Sequence, residues 1–241
     1  SLLFCLIIIG AGFFVSLFSS SFMAGHPHIG RYFALLHAFM LSMLGIVTAD
    51  NLLLLFVFWE GTTVFSYLLI GFDHESDMAR DNARQAILIT SVGGLALLIG
   101  ILLLKVAGAS FILSHWVTAG DQIRQHALYP AIFSAVLLGA MTKSAQFPFH
   151  FWLPNAMSAP TPVSAFLHAA TMVKAGIYLL MRFHPLLGGT QLWMTTLVII
   201  GGITALWGAV QALVPSDLKR ILAYTTMMAL GILTMFLGGQ T

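Results

Sequence analysis

Charged side chains are scarce in this chain of 241 residues: Asp, Glu, Lys and Arg make up 7% of it, against 59% hydrophobic residues. A soluble domain carries roughly 25% charged residues, so this composition cannot cover a water-facing surface. Lipid is therefore the solvent for most of the chain. Cysteine is nearly absent too, and the lone Cys5 excludes an intrachain disulfide framework and any multi-cysteine metal or iron–sulfur site. The formal net charge is +2 with no basic patch to track phosphates, which argues against a nucleic-acid partner. The sequence has no Gly-rich phosphate loop, no nucleophile elbow and no paired histidine ligands on a helix. No cofactor and no metal site is expected. No targeting segment is visible, and the start on Ser1 inside an apolar run reads as a piece of a longer membrane protein.

What the chain has in abundance is long apolar runs. A spanning helix needs about 20 mainly apolar residues, and about eight such segments are expected by that window. They cover residues 2–18, 33–48, 52–72, 86–104, 129–143, 162–182, 192–213 and 217–237. Ser216 is the expected N-cap of the last, and Asp50 is read as a helix N-cap or a channel mouth. His26 and His28 are read as loop residues, because two histidines without a third ligand make a poor metal site. If the segments alternate, Arg31, Arg80, Arg84, Lys219 and Arg220 share one side, and Lys105, Arg124 and Arg182 the other. The positive-inside rule puts the first group in the cytoplasm.

The fifth segment does not end cleanly. Phe147-Pro148-Phe149-His150-Phe151-Trp152-Leu153-Pro154 stays apolar while its prolines forbid a regular helix. Pro148 has no N–H and its ring clashes with the carbonyl one turn back, so the Ser144 carbonyl is expected to be freed. Non-helical backbone at membrane depth survives only where protein or a water-filled cavity satisfies it.

Ionisable residues inside such segments are the candidates for function. A charge at the centre of a spanning helix costs about 2.5–3.5 kcal/mol on insertion scales, so it is seldom idle. Glu60 sits in the middle of the third segment, with Thr63 and Tyr67 on its face; the competing role is a clamp between helices. Lys143 lies where the fifth segment breaks. Burial disfavours its ammonium and a nearby carboxylate favours it, a balance that lets a lysine load and release a proton; the alternative is a lysine snorkelling to the interface. Thr161, Ser164, His168, Thr171, Lys174 and Tyr178 fall on one stripe of the sixth segment, with His168 and Lys174 toward its edges. Histidine titrates near neutral pH and can pass protons in either direction. His150, inside the broken segment, faces the same cavity or packs; Lys219 is a channel residue or an interfacial anchor.

The run Lys143-Ser144-Ala145-Gln146-Phe147-Pro148-Phe149-His150-Phe151-Trp152-Leu153-Pro154, then Ala159-Pro160-Thr161-Pro162-Val163-Ser164-Ala165 and His168-Ala169-Ala170-Thr171-Met172-Val173-Lys174, is highly specific. With Asp50-Asn51-Leu52, Trp59-Glu60 and Asp217-Leu218-Lys219-Arg220, it resembles the family shared by Mrp-type cation/proton antiporter subunits and the antiporter-like subunits of respiratory complex I. His150 after Phe147-Pro148-Phe149, Lys174 after Met172-Val173 and the Arg182-Phe183-His184-Pro185 ending resemble the A-type subunits of the Mrp branch. The resemblance implies an all-α, polytopic transmembrane bundle of about fourteen helices, built on two inverted five-helix repeats that each contain a broken helix. The chain would then hold an N-terminal helix and loop (1–30), one complete repeat (31–185, broken around 143–154) and the start of the second (186–241).

The resemblance also implies roles. Glu60 would be the charge partner of Lys143, His168 the link to a central hydrophilic axis, and Lys174 a further point along it. The expected activity is proton relay in a multisubunit Na⁺/H⁺ antiporter of a bacterial inner membrane, with K⁺ or Li⁺ as alternative cations. Its partners would be the other subunits and the lipid bilayer. The competing activity is proton pumping in complex I or a membrane-bound hydrogenase.

Overall fold

The computed structural model describes residues 1–118 and 120–239. Among them the chain is helical, with one isolated bridge between Asn51 and Ile112. In order the α-helices are α1 (Leu2–Phe22), α2 (Ile29–Thr48), α3 (Leu52–Ile70), α4 (Asp77–Val106), α5 (Gly120–Arg124), α6 (Tyr129–Lys143), α7 (Trp152–Asn155), α8 (Thr161–Ser164), α9 (Lys174–Leu187), α10 (Gln191–Gln211) and α11 (Leu218–Gly238). Six of these, α1, α2, α3, α4, α10 and α11, are long and apolar enough to cross a membrane. The expected fifth and sixth segments are different in kind. At 15 residues, α6 rises about 22 Å, short of the ~30 Å hydrocarbon core.

Local chemistry sets the helix starts. The Asn51 side chain accepts from the amides of Leu53 (2.9 Å) and Leu54 (3.3 Å) and caps α3. Asp50 is not that cap: its carboxylate accepts from the Ser114 amide (3.0 Å) and hydroxyl (2.8 Å). Asp217, rather than Ser216, caps α11 by accepting from the Lys219 amide at 3.1 Å. Helix α4 begins at Asp77, well before the apolar run at Ala86. Ser76 caps it, Asp77 favours the positive end of the helix dipole, and Arg80–Asp77 and Arg84–Asp81 pair along it. A hydropathy window sees only the lipid-facing remainder.

The two charge groups lie at opposite ends of the bundle, as expected from alternation. Arg31 stacks over Phe72, and Asn82 shares a cavity with Lys219 and Arg220. At the other end Arg182 pairs with Asp50 (3.7 Å), while Arg124 donates to the carbonyls of Pro185 (3.1 Å) and Gly188 (3.3 Å).

The break after α6 has a cause other than the proline. Ala145 adopts φ 49°, and the Gln146 amide returns to the Met141 carbonyl at 3.0 Å. That 6→1 bond across a left-handed residue is the Schellman ending. The helix has therefore stopped before Pro148 can clash, and the Ser144 carbonyl is not freed but accepts from Gln146 Nε2 at 3.3 Å. Trp152 Nε1 bonds the Thr142 carbonyl (2.9 Å), and the Phe147 amide bonds Thr204 Oγ1 of α10 (3.0 Å). Protein groups thus hold this irregular backbone, as burial requires.

The expected sixth segment is also not a plain α-helix. Between α8 and α9 the chain makes a π-helical stretch, Ala165–Thr171. The Met172 amide reaches the Leu167 carbonyl (2.8 Å) and Thr171 Oγ1 the Phe166 carbonyl (2.7 Å). The wider turn changes the angular spacing, so a stripe counted at 3.6 residues per turn does not carry through it.

Candidate functional site

Lys143 is the last residue of α6 and is fully buried. Its ammonium donates to Thr63 Oγ1 at 2.6 Å and to the Trp59 carbonyl at 3.1 Å, both on α3. It also lies 5.2 Å from the centre of the Trp59 ring. The Thr63 hydroxyl in turn reaches the Trp59 carbonyl at 3.3 Å. The ammonium thus finds neutral acceptors and an aromatic face, which offset the loss of water.

Glu60 lies on the same turn of α3 as these acceptors and is partly buried. It forms no ion pair with Lys143; the ion pairs among the described residues all involve arginine. Its Oε1 is buried without a hydrogen-bond partner among the described residues. Unlike charges attract without direct contact, so a carboxylate on this turn of α3 favours the Lys143 ammonium. Two adjacent glycines of α4 make room for this arrangement. A Cβ on Gly94 would fall on the Glu60 carboxylate, and one on Gly93 on the Thr142 hydroxyl. On the opposite side of α6, a Cβ on Gly176 would meet Ser144 Oγ at 2.8 Å, so α9 also approaches closely.

His168 lies in the π-helical stretch, a feature that recurs at functional sites. It is buried, with both ring nitrogens unpartnered among the described residues. Its ring stands edge-on to Trp152 at 6.0 Å, and the Trp152 indole is bonded to Thr142, next to Lys143. Trp152 therefore joins the lysine end of α6 to His168. Lys174 opens α9 and is partly buried.

The remaining candidates sit apart from this centre. His150 stacks on Phe147 (5.6 Å) and meets Trp207 of α10 edge-on (5.8 Å); its Nδ1 is buried without a partner among the described residues. Lys219 donates to the carbonyls of Ala159 (3.0 Å) and Met157 (3.5 Å), so it ties α11 to the broken segment. It borders a cavity of about 370 Å³ lined by Asn82, Asn155, Ser158, Asp217 and Arg220. Among the described residues no three His, Cys, Asp or Glu side chains gather as a metal site. Helical spacing placed Thr63 on the Glu60 face but did not mark it as the direct partner of Lys143. Gly93-Gly94 also went unmarked, although a pair of adjacent glycines inside an apolar run was a visible signal.

This geometry defines a class: a polytopic membrane protein with a buried lysine at a helix break, a carboxylate beside it and a buried histidine beyond. Comparison with known proteins then fixes the family. The family described as NADH:quinone oxidoreductase/Mrp antiporter, TM, matches residues 49–241, and the chain belongs to it. The chain is 50% identical over 235 residues to the A/B-type subunit of a probable K⁺/H⁺ antiporter of Rhizobium meliloti (strain 1021), covering 98% of this chain and 24% of that protein. It is 46% identical over 239 residues to a putative antiporter subunit mnhA2 of Staphylococcus aureus (strain MRSA252), covering 99% and 30% respectively.

Solved structures agree. A chain of the Mrp complex from Dietzia sp. DQ12-45-1b superposes with a TM-score of 0.89 at 41% identity, over 99% of this chain and 26% of that one. The membrane-bound sulfane sulfur reductase, an archaeal respiratory membrane complex, superposes with a TM-score of 0.83 at 24% identity, over 97% and 48%. That second likeness shows the fold alone. The fold is thus the all-α, antiporter-like bundle that the motifs implied. The chain spans less than a third of the curated relatives it matches.

Proposed function

We propose that this chain is part of the A-type subunit of a multisubunit cation/proton antiporter in a bacterial cell membrane, and that its buried ionisable residues carry the protons. Residues 31–185 form one antiporter-like repeat and 186–241 begin the next. The two relatives named as subunits of a K⁺/H⁺ antiporter and of an antiporter support this reading, as does the 41% identity to a chain of an Mrp complex. The redox-driven alternative shares the family, whose description also covers NADH:quinone oxidoreductase, and the fold, but the two relatives at 46% and 50% identity are named as antiporter subunits. The chain is thus a transporter subunit rather than an enzyme, working with other subunits to exchange Na⁺, K⁺ or Li⁺ for protons.

One observation carries the proton role: a fully buried lysine at a helix end, with acceptors on α3 within reach of Glu60. When the carboxylate is near, the ammonium is favoured; when it is drawn off or neutralised, Lys143 gives its proton toward His168 and then Lys174. His150 and Lys219 lie at the flanks of this route. The test is cation-induced collapse of the pH gradient in everted vesicles carrying the whole complex. Wild type responds to added Na⁺ or K⁺, and Lys143→Ala and Glu60→Ala do not. Lys143→Ala removes the titrating ammonium, and Glu60→Ala removes the carboxylate that favours its charged form. Proton pumping driven by quinone reduction, with no response to added cation in wild type, would assign the chain to a redox-driven complex instead.

A further inference from the structure

We propose that Thr63 is a positioning residue for proton transfer: its hydroxyl, with the Trp59 carbonyl, is a neutral dock that holds the Lys143 ammonium away from Glu60. The inference rests on the proton-carrying role proposed for Lys143. The structure presents this docked arrangement, with Nζ 2.6 Å from Thr63 Oγ1 and 3.1 Å from the Trp59 carbonyl, and with no Lys143–Glu60 ion pair among the described residues. The two seats are neighbours. Residues three apart on a helix differ by about 60° around its axis, so a swing of the flexible lysine chain takes the ammonium from Thr63 to Glu60. Gly94 gives the Glu60 carboxylate a place of its own against α4. The hydroxyl can accept from the lysine while donating to the Trp59 carbonyl at 3.3 Å, so it keeps both partners satisfied.

A lysine that could bind only its carboxylate would stay paired and charged. A dock of neutral oxygens gives the ammonium a second seat without a counter-charge, from which the proton is more readily handed on. Thr63 therefore sets how often the pair opens, while neither making nor breaking a bond itself.

The test separates the hydroxyl from the packing of its side chain. Thr63→Val keeps the shape and loses the hydroxyl; Thr63→Ser keeps the hydroxyl and loses a methyl. In vesicles containing equal amounts of assembled complex, Thr63→Val is expected to lower the maximal exchange rate about tenfold, the equivalent of one hydrogen bond to a charged group. The half-saturating cation concentration stays unchanged, and Thr63→Ser exchanges at close to the wild-type rate. A packing role predicts the reverse order, with Val active and Ser impaired, and that result overturns the proposal. If Thr63→Val does not assemble, Thr63→Ala against Thr63→Ser reads the hydroxyl alone, and equal rates in those two also overturn it. Exchange in wild type with unchanged exchange in Thr63→Val sinks this inference and leaves the antiporter reading standing. No cation response in wild type sinks both.

Discussion

The two glycines of α4 should behave differently when each is given a methyl group. At Gly94 the new carbon would land on the end of the Glu60 side chain, with Cδ at 2.9 Å. A carboxylate at the end of three rotatable bonds can swing aside, so the fold has little to resist. Replacing Gly by Ala inside a helix also gains about 1 kcal/mol. Gly94→Ala is therefore expected to assemble as well as wild type or better. The carboxylate, however, is displaced from the position where it acts on Lys143, and exchange should fall at least tenfold. At Gly93 the new carbon would meet Thr142 at its Cβ (2.7 Å) and Cγ2 (2.9 Å), atoms fixed close to the α6 backbone. Overpacking of this kind costs about 1–3 kcal/mol, which matches or exceeds the gain in helix propensity. Gly93→Ala should thus lower the amount or the thermal stability of the complex. The assay is exchange per assembled complex, beside a melting curve in detergent. Wild-type exchange in Gly94→Ala would show that the placement of the Glu60 carboxylate is irrelevant, and the electrostatic account of Lys143 would fail with it.

Two further outcomes are expected. Lys143→Arg should assemble yet fail to exchange, because arginine scarcely deprotonates; retained cation-dependent collapse of the pH gradient would remove Lys143 from the proton path. Ala145→Gly should raise the melting temperature of the complex. The left-handed φ of 49° there costs a residue with a Cβ about 1–2 kcal/mol, and a lower melting temperature would mean that the Ala145 methyl contributes more than it strains.

The composition and the apolar runs made the bundle legible, and Glu60 and Lys143 stood out as candidates because insertion cost makes ionisable residues rare inside such segments. Other features were hidden for physical reasons. The ending of α6 lies in the conformation of Ala145, an alanine where glycine is the usual signal, so the proline three residues later drew attention instead. The start of α4 was hidden because its first turns, Asp77 to Arg84, stand outside the apolar run and are held by a Ser76 cap and local ion pairs. No residue spacing announces the π-helical stretch around His168.

Those hidden features bear on the site more than their size suggests. Lys143 can reach Thr63 because α6 stops there and its chain no longer has to continue across the lipid. The Schellman ending turns the backbone aside, Trp152 folds back to bond the Thr142 carbonyl, and the lysine is left at the tip of a shortened helix with its ammonium on α3. His168 meets the same tryptophan from the π-helical stretch. Both departures from regular helix thus converge on Trp152, and they bring a lysine and a histidine from separate segments to one buried place. A regular pair of spanning helices would have satisfied its own backbone and kept these side chains on separate rods. The broken backbone, held by protein groups on each side, is what gives Lys143 and His168 a shared interior.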